Sequence, residues 1–192
     1  FRYFDIRSLR LTQAWVKKRM NIGNQKHVWL MTDKSRTYDR YMVWKDFNGR
    51  VYYDNRDIMK DTSTGSLGSQ NGVANESDYC FVHFTLEADQ VEGDVFVYGE
   101  LSDWRVNENC KMYYNPDLKS YEAVIPLKQG YYNYMYGVVD KKTGKLEFKS
   151  FEGSHSQAEN NYMVLMYHRN QQGLPIDELI GYGLANSQGK KN

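Results

Sequence analysis

Between residues 94 and 185 short apolar runs alternate with turn-forming residues. The runs carry the period of two that a strand with two unlike faces requires. They read DVFVYGELSDW (94–104), KMYYNPDLKSYEAVIPL (111–127), GYYNYMYGVVDKKTGKLEFKSF (130–151) and NYMVLMYHRN (161–170). Asn115-Pro116, Lys128-Gln129-Gly130 and Thr143-Gly144 supply turn chemistry between or within them. Aromatic and β-branched residues dominate the runs, and the spacing is that of a compact antiparallel β-sandwich.

Residues 1–56 are strand-rich as well. YMVWKDFNGRVYYDN is the clearest hairpin there, with Asn48-Gly49 as the pair that a tight turn with positive φ demands. The segment 57–77, DIMKDTSTGSLGSQNGVANES, changes character: small polar residues dominate and too few apolar ones remain to bury. A loop of about twenty residues inside one compact domain is unusual, so the pattern predicts a boundary. The expected organisation is all-β. A partial β domain (1–56) precedes a flexible linker (57–77), an immunoglobulin-like early-set sandwich (78–187) and a frayed tail (188–192). YCFVHFTLEA (79–88) opens the second unit, ELIGYGLANS (178–187) closes it, and no helix is expected.

Composition adds bounds rather than a function. Apolar content of 41% supports a core, and 17 tyrosines favour strands over helices. A net charge of +1 gives no electrostatic ground for nucleic acid or an anionic membrane surface. No apolar run approaches the roughly 18 residues of a membrane helix, so no membrane insertion is expected. The chain starts at Phe1 rather than Met, which reads as a processed product or fragment, and the lack of a leader carries no weight.

No motif binds a metal or cofactor, cradles phosphate or activates a nucleophile. His27, His83, His155 and His168 lack metal-ligand spacing, and Ser154-His155 with Glu159 has no nucleophile elbow around it. The reading is non-enzymatic. Asn75-Glu76-Ser77 matches a glycosylation sequon, which has meaning only in a eukaryotic secretory protein. Cys80 and Cys110 pair only if their strands are neighbours; two small buried hydrophobes is the simpler reading.

Tyr132, Tyr134 and Tyr136 share one strand face, with Tyr131, Asn133 and Met135 on the other. Such a row either stacks on sugar rings or forms the core and a cross-strand aromatic ladder, and the second is the simpler account.

GDVFVYGELSDWR (93–105) and LKQGYYNYMYGVV (127–139) resemble the entry strands of early-set immunoglobulin-like modules that accompany glycogen- and starch-active enzymes. A broader set occurs in order: FRYFDIRSLR (1–10), DFNGR (46–50), DVFVYGELSDW (94–104), MYYNPDLKSYE (112–122), LKQGYYNYMY (127–136), the 153–169 run and ELIGY (178–182). Together these resemble the type IX secretion system plug protein family of the Bacteroidetes, across nearly the whole chain. That resemblance implies a periplasmic protein that occludes an outer-membrane translocon barrel. It also implies longer family members, of which this chain looks like the C-terminal half. Residues 1–56 would then be the later strands of a β domain whose earlier strands are missing. It transfers no catalytic residue.

Two functional readings follow: a protein-binding component whose partner is the translocon barrel, or a carbohydrate-binding module with a glycan as ligand. For either, the candidate contact residues are Leu101, Trp104, Tyr113, Tyr114 and Tyr131. A protein-binding role expects them in one exposed patch. Trp104 is expected to be structural, with substitution costing about 3–5 kcal/mol as for a buried aromatic.

Overall fold

The computed structural model describes residues 1–10, 13–37, 47–57, 77–154, 161–169 and 176–187. It is all-β and sandwich-like, as the patterning predicts, with one large mixed sheet and one small sheet. The strands are β1 (Arg2–Asp5), β2 (Val16–Ile22), β3 (Gln25–Leu30), β4 (Asp33–Lys34), β5 (Val51–Tyr53), β6 (Tyr79–Glu87) and β7 (Asp94–Tyr98). They continue with β8 (Lys111–Asn115), β9 (Ser120–Lys128), β10 (Gly130–Val139), β11 (Leu146–Glu147), β12 (Asn161–Arg169) and β13 (Asp177–Asn186).

The large sheet runs β1-β10-β7-β8-β9-β6-β3-β2, with β5 and β11 also on β10 and β4 on β6. Its pairs are antiparallel except β3–β6 and β4–β6. The sheet curls until it is nearly barrel-shaped. The N–H of Asp5, at the end of β1, donates to the carbonyl of Ala14 just ahead of β2, at 3.1 Å.

This topology corrects the expected domain boundary. β1 pairs with β10 in the register Arg2↔Tyr134 to Asp5↔Tyr131, and β5 pairs with the same strand at Gly130↔Tyr53. Strands on both sides of 57–77 therefore build one body, which runs through Ser154. The second unit begins later than expected: β12 and β13 form a separate two-stranded sheet rather than completing the sandwich. The composition of a polar segment carries no information on whether the strands flanking it pair, which is why 57–77 resembles a boundary without being one. Residues 58–76, the tail 188–192, the first arm of the predicted 41–55 hairpin up to 46, and His155 to Glu159 lie outside the described residues.

Turn chemistry holds where it is visible. Asn48 and Gly49 both take positive φ, 52° and 79°, and the Asn115 side chain accepts from the N–H groups of Asp117 and Leu118. The prediction of no helix needs one correction. Lys149–Glu152 forms a single α-helical turn, α1, which buries Phe151 at the end of what reads as a strand-rich run.

The core gathers Phe4, Val82, Phe84, Leu86, Val97, Ile125 and the inward tyrosines 132, 134 and 136. Alternation along β10 thus resolves as core on one side. Among the core side chains lies a polar latch. Arg2 is 2% exposed and pairs with Asp33 and Glu152 at 2.9 Å each, and the hydroxyls of Tyr134 and Tyr136 donate to Asp33 Oδ2 at 2.6 and 2.8 Å. Burial, reinforced by neighbouring negative charge, holds both phenols well above the ordinary tyrosine range, so they stay protonated donors.

Cys80 and Cys110 are free thiols, both buried. Burial pushes the first to a pKa of about 12 and the second to about 11. The native protein at pH 8 is expected to leave Ellman's reagent unreacted, and both thiols should titrate promptly in denaturant. Rapid labelling of the folded chain would contradict this packing.

Candidate functional site

The described surface carries two apolar features. The first is an aromatic strip on the outside of β1 and β10. Tyr131 points outward from β10, opposite Asp5 on one neighbour and Tyr52 on the other. Its ring stacks on Tyr3 at 5.7 Å and 18°, and Phe47 meets it edge-on at 5.4 Å. Tyr3 in turn meets Trp15 edge-on at 5.9 Å. The Arg7 guanidinium lies 5.6 Å from the Tyr131 ring centre and is paired with Asp5. Partial burial, with Tyr3 beside it, raises the Tyr131 phenol above its usual value.

The Asn48-Gly49 turn carries the strip toward Trp104. Phe47 donates its N–H to the Asn133 side chain, and Asn133 N–H donates to the Arg50 carbonyl, so the turn is bound flat over β10. Gly49 is required twice over. Its φ is +79°, and a Cβ there would lie 2.4 Å from the Phe1 ring and 2.5 Å from the Trp104 ring. Trp104 follows the 3-10 turn Glu100–Ser102, itself has φ 55°, and accepts a hydrogen bond at its carbonyl from the Tyr98 hydroxyl at 2.8 Å. Its ring meets Phe1 at 88° and Tyr98 at 73°.

Of the five candidate residues, Trp104 and Tyr131 are brought onto this one surface by the turn. Leu101 is half-buried and packs against the core. Tyr113 and Tyr114 separate as strand alternation requires: Tyr114 packs on Tyr121 at 4.9 Å, while Tyr113 projects from β8 opposite Glu122, away from the strip. The expected single patch of all five is therefore not formed. Trp104 is also not the buried anchor it was expected to be, since it remains 43% exposed. Trp104→Ala should accordingly cost only about 1–2 kcal/mol, from the apolar area still covered, read as a shift in urea midpoint. A loss above about 3 kcal/mol would restore it to the core class.

The second feature escaped the sequence reading. In β12 and β13, Met163, Leu165 and Tyr167 lie opposite Leu184, Tyr182 and Leu179, while Tyr162, Val164 and Met166 lie opposite Ala185, Gly183 and Gly181. The large side chains among these, with Ile180, are all exposed, from 43% at Leu165 to 74% at Tyr182. Consecutive positions point to opposite faces of a strand, so both faces of this hairpin are apolar. A bidentate Arg169–Asp177 pair at 2.6 and 2.7 Å closes its 169/177 end. The available signal was the unbroken run YMVLMY (162–167), which has no alternation and therefore no polar face.

His27 and His83 form a further cluster on β3 and β6, with His27 Nδ1 2.9 Å from His83 Nε2 and Trp29 stacked on His83 at 4.2 Å. Burial, with His27 beside it, lowers the His83 pKa. Among the described residues no group of three or more His, Cys, Asp or Glu side chains converges as a metal site.

No protein-family model and no curated protein matches the chain. A solved structure does: the crystal structure of a hypothetical protein from Parabacteroides merdae ATCC 43184 is 30% identical, with a TM-score of 0.82. The match covers 97% of this chain and 44% of that one, so this chain spans less than half of the neighbour's length.

Proposed function

We propose that the chain is a non-enzymatic, periplasmic protein-binding component, resembling the plug of the type IX outer-membrane translocon, and that the β12–β13 hairpin is its docking element. One observation carries this reading: a two-stranded ribbon with large aliphatic and aromatic side chains exposed on both faces. An isolated hairpin is marginal in water, and contiguous exposed apolar surface marks interaction sites. Among the described residues β12 and β13 pair only with each other, so each strand's other edge offers backbone groups for strand addition to a partner sheet. A barrel wall or barrel loops in extended conformation fit such an element.

The same surfaces favour a protein over a glycan. Sugar platforms present open ring faces, whereas Tyr3 and Tyr131 stack their faces on each other. Met, Val, Leu and Ile side chains, which line the hairpin, cover apolar protein surface rather than hydroxyl-rich rings. The length of the Parabacteroides neighbour agrees with a family whose members extend beyond this chain.

The test is genetic. In a type IX-competent bacterium, deletion of the gene should make the envelope leaky to a normally excluded antibiotic. The wild-type gene should restore the barrier and Val164→Asp should not, although the variant protein accumulates normally. Val164 is exposed, so the change disturbs no core. An intact barrier after deletion would remove the plug reading.

A further inference from the structure

Two adjoining cavities of about 430 and 340 Å³ lie beside β2 and share Leu9, Arg10 and Arg19 in their walls. The β2–β3 register shifts between Val16 and Lys18. That irregularity interrupts strict alternation, and Lys17, Lys18 and Arg19 all line the smaller cavity together with Arg10. Among the described residues no carboxylate lines it. In the larger cavity the two acids are already engaged. Asp78 pairs with Lys26, and Asp57 accepts from the Ser8 hydroxyl, the Leu9 N–H and the Gln129 amide at 2.5, 2.6 and 3.0 Å. Lys18 rests over Trp29 at 4.8 Å. Among the described residues Arg10, Lys17 and Arg19 have no acidic side chain within ion-pair distance. Arg19 Nη1 is buried and has no acceptor among the described residues.

A run of basic residues on a strand is ordinarily a solvated face, and the buried guanidinium nitrogen is what separates this cluster from one. A buried cationic N–H without an acceptor carries its full desolvation cost. Here the same Arg19 side chain lines a concave wall together with Arg10, Lys17 and Lys18. We propose that the paired cavities bind a phosphate group, with Arg19 as the central ligand and Arg10 and Lys17 completing the charge. A tetrahedral, multiply charged oxyanion accepts from several converging donors at once, whereas a single carboxylate would leave most of these cations unanswered. The site is independent of the hairpin and of the plug reading. The phosphate belongs either to a soluble phosphate compound or to a lipid headgroup, and the experiment separates these sources.

Titration calorimetry of the whole chain with pyrophosphate at low salt, and cosedimentation with phosphatidylglycerol or phosphatidylcholine vesicles, are the two arms. Saturable pyrophosphate binding assigns a soluble ligand. Binding to phosphatidylglycerol vesicles alone assigns a headgroup. In whichever arm binds, Arg19→Gln should weaken affinity at least about tenfold, as expected for losing a charge-assisted fork, and Arg19→Lys should restore part of it. Lys142→Gln, at an exposed lysine paired with Glu92, should leave affinity unchanged. Lys17→Gln, at an exposed side chain on the cavity wall, keeps the test open if Arg19→Gln misfolds, and should weaken binding at least about threefold. Absence of binding in both arms overturns the proposal, as does an Arg19→Gln protein that binds like wild type. So does a Lys142→Gln loss equal to that of Arg19→Gln, which would show diffuse charge attraction.

Discussion

Replacing Arg2 with alanine is expected to destabilise the β body by about 3–5 kcal/mol, the cost typical of stripping one partner from a buried ion-pair network. Arg2 Nη1 and Nε reach Asp33 and Glu152, and Nη2 donates to the Lys34 carbonyl at 2.8 Å. Its guanidinium lies 5.0 Å from the Tyr136 ring centre. Burial lowers the Arg2 pKa, but Glu152 and Asp33 outweigh it and hold the group above its ordinary value. Glu152 also accepts from the Tyr136 N–H at 2.9 Å. One side chain thus ties β1, β4, β10 and α1 together, and its loss leaves two carboxylates facing each other with little water. The uncompensated charge is the cause, so Arg2→Met combined with Asp33→Asn and Glu152→Gln should recover a large part of the stability. Urea unfolding monitors both variants. A cost for Arg2→Ala below about 1 kcal/mol would show that the latch is solvated.

Phe4→Ala is expected to cost a similar amount, about 3–5 kcal/mol, by transfer and cavity terms. Phe4 is fully buried, stacks on Tyr132 at 5.0 Å and 6°, and meets Phe84 and Tyr134 edge-on at 5.5 and 5.6 Å. Its strand belongs to the same sheet as β10, so the loss should shift one cooperative transition that near-ultraviolet and far-ultraviolet dichroism report together. Two transitions, with only the first moved by Phe4→Ala, would mean that residues 1–56 fold apart from 77–154 after all.

Much of the fold could be read from residue order. Alternation in Cys80, Val82, Phe84 and Leu86 and in Tyr132, Tyr134 and Tyr136 marks strands and their buried faces, and Asn48-Gly49 marks its turn. Arg2 and Phe4 share a face by the same rule, which hinted that an arginine faces the core. Long-range pairing was not readable. Nothing local in RYFD indicates that it lies beside Tyr131 to Tyr134, because strand partners are chosen by the summed fit of distant faces. The surface was harder still. Aromatic type alone places Trp104, Tyr113 and Tyr131 together as contact candidates, yet it also points to a buried Trp104, which is 43% exposed, and cannot see Leu101 drawn inward or Tyr113 set apart on β8. Grouping into a patch depends on the turn at Gly49, a tertiary contact. The hairpin's exposure is not legible locally, because an unbroken apolar run such as YMVLMY also suits a strand buried on both faces.

The most direct test of a docking role for that hairpin is site-specific photo-crosslinking in living, type IX-competent cells. A photoreactive residue at Tyr182, the most exposed of its apolar positions at 74%, should give one discrete adduct containing the outer-membrane translocon barrel, and the same probe at Tyr113 on β8 should give none. No barrel adduct from Tyr182, or equal yields from both positions, would contradict the account.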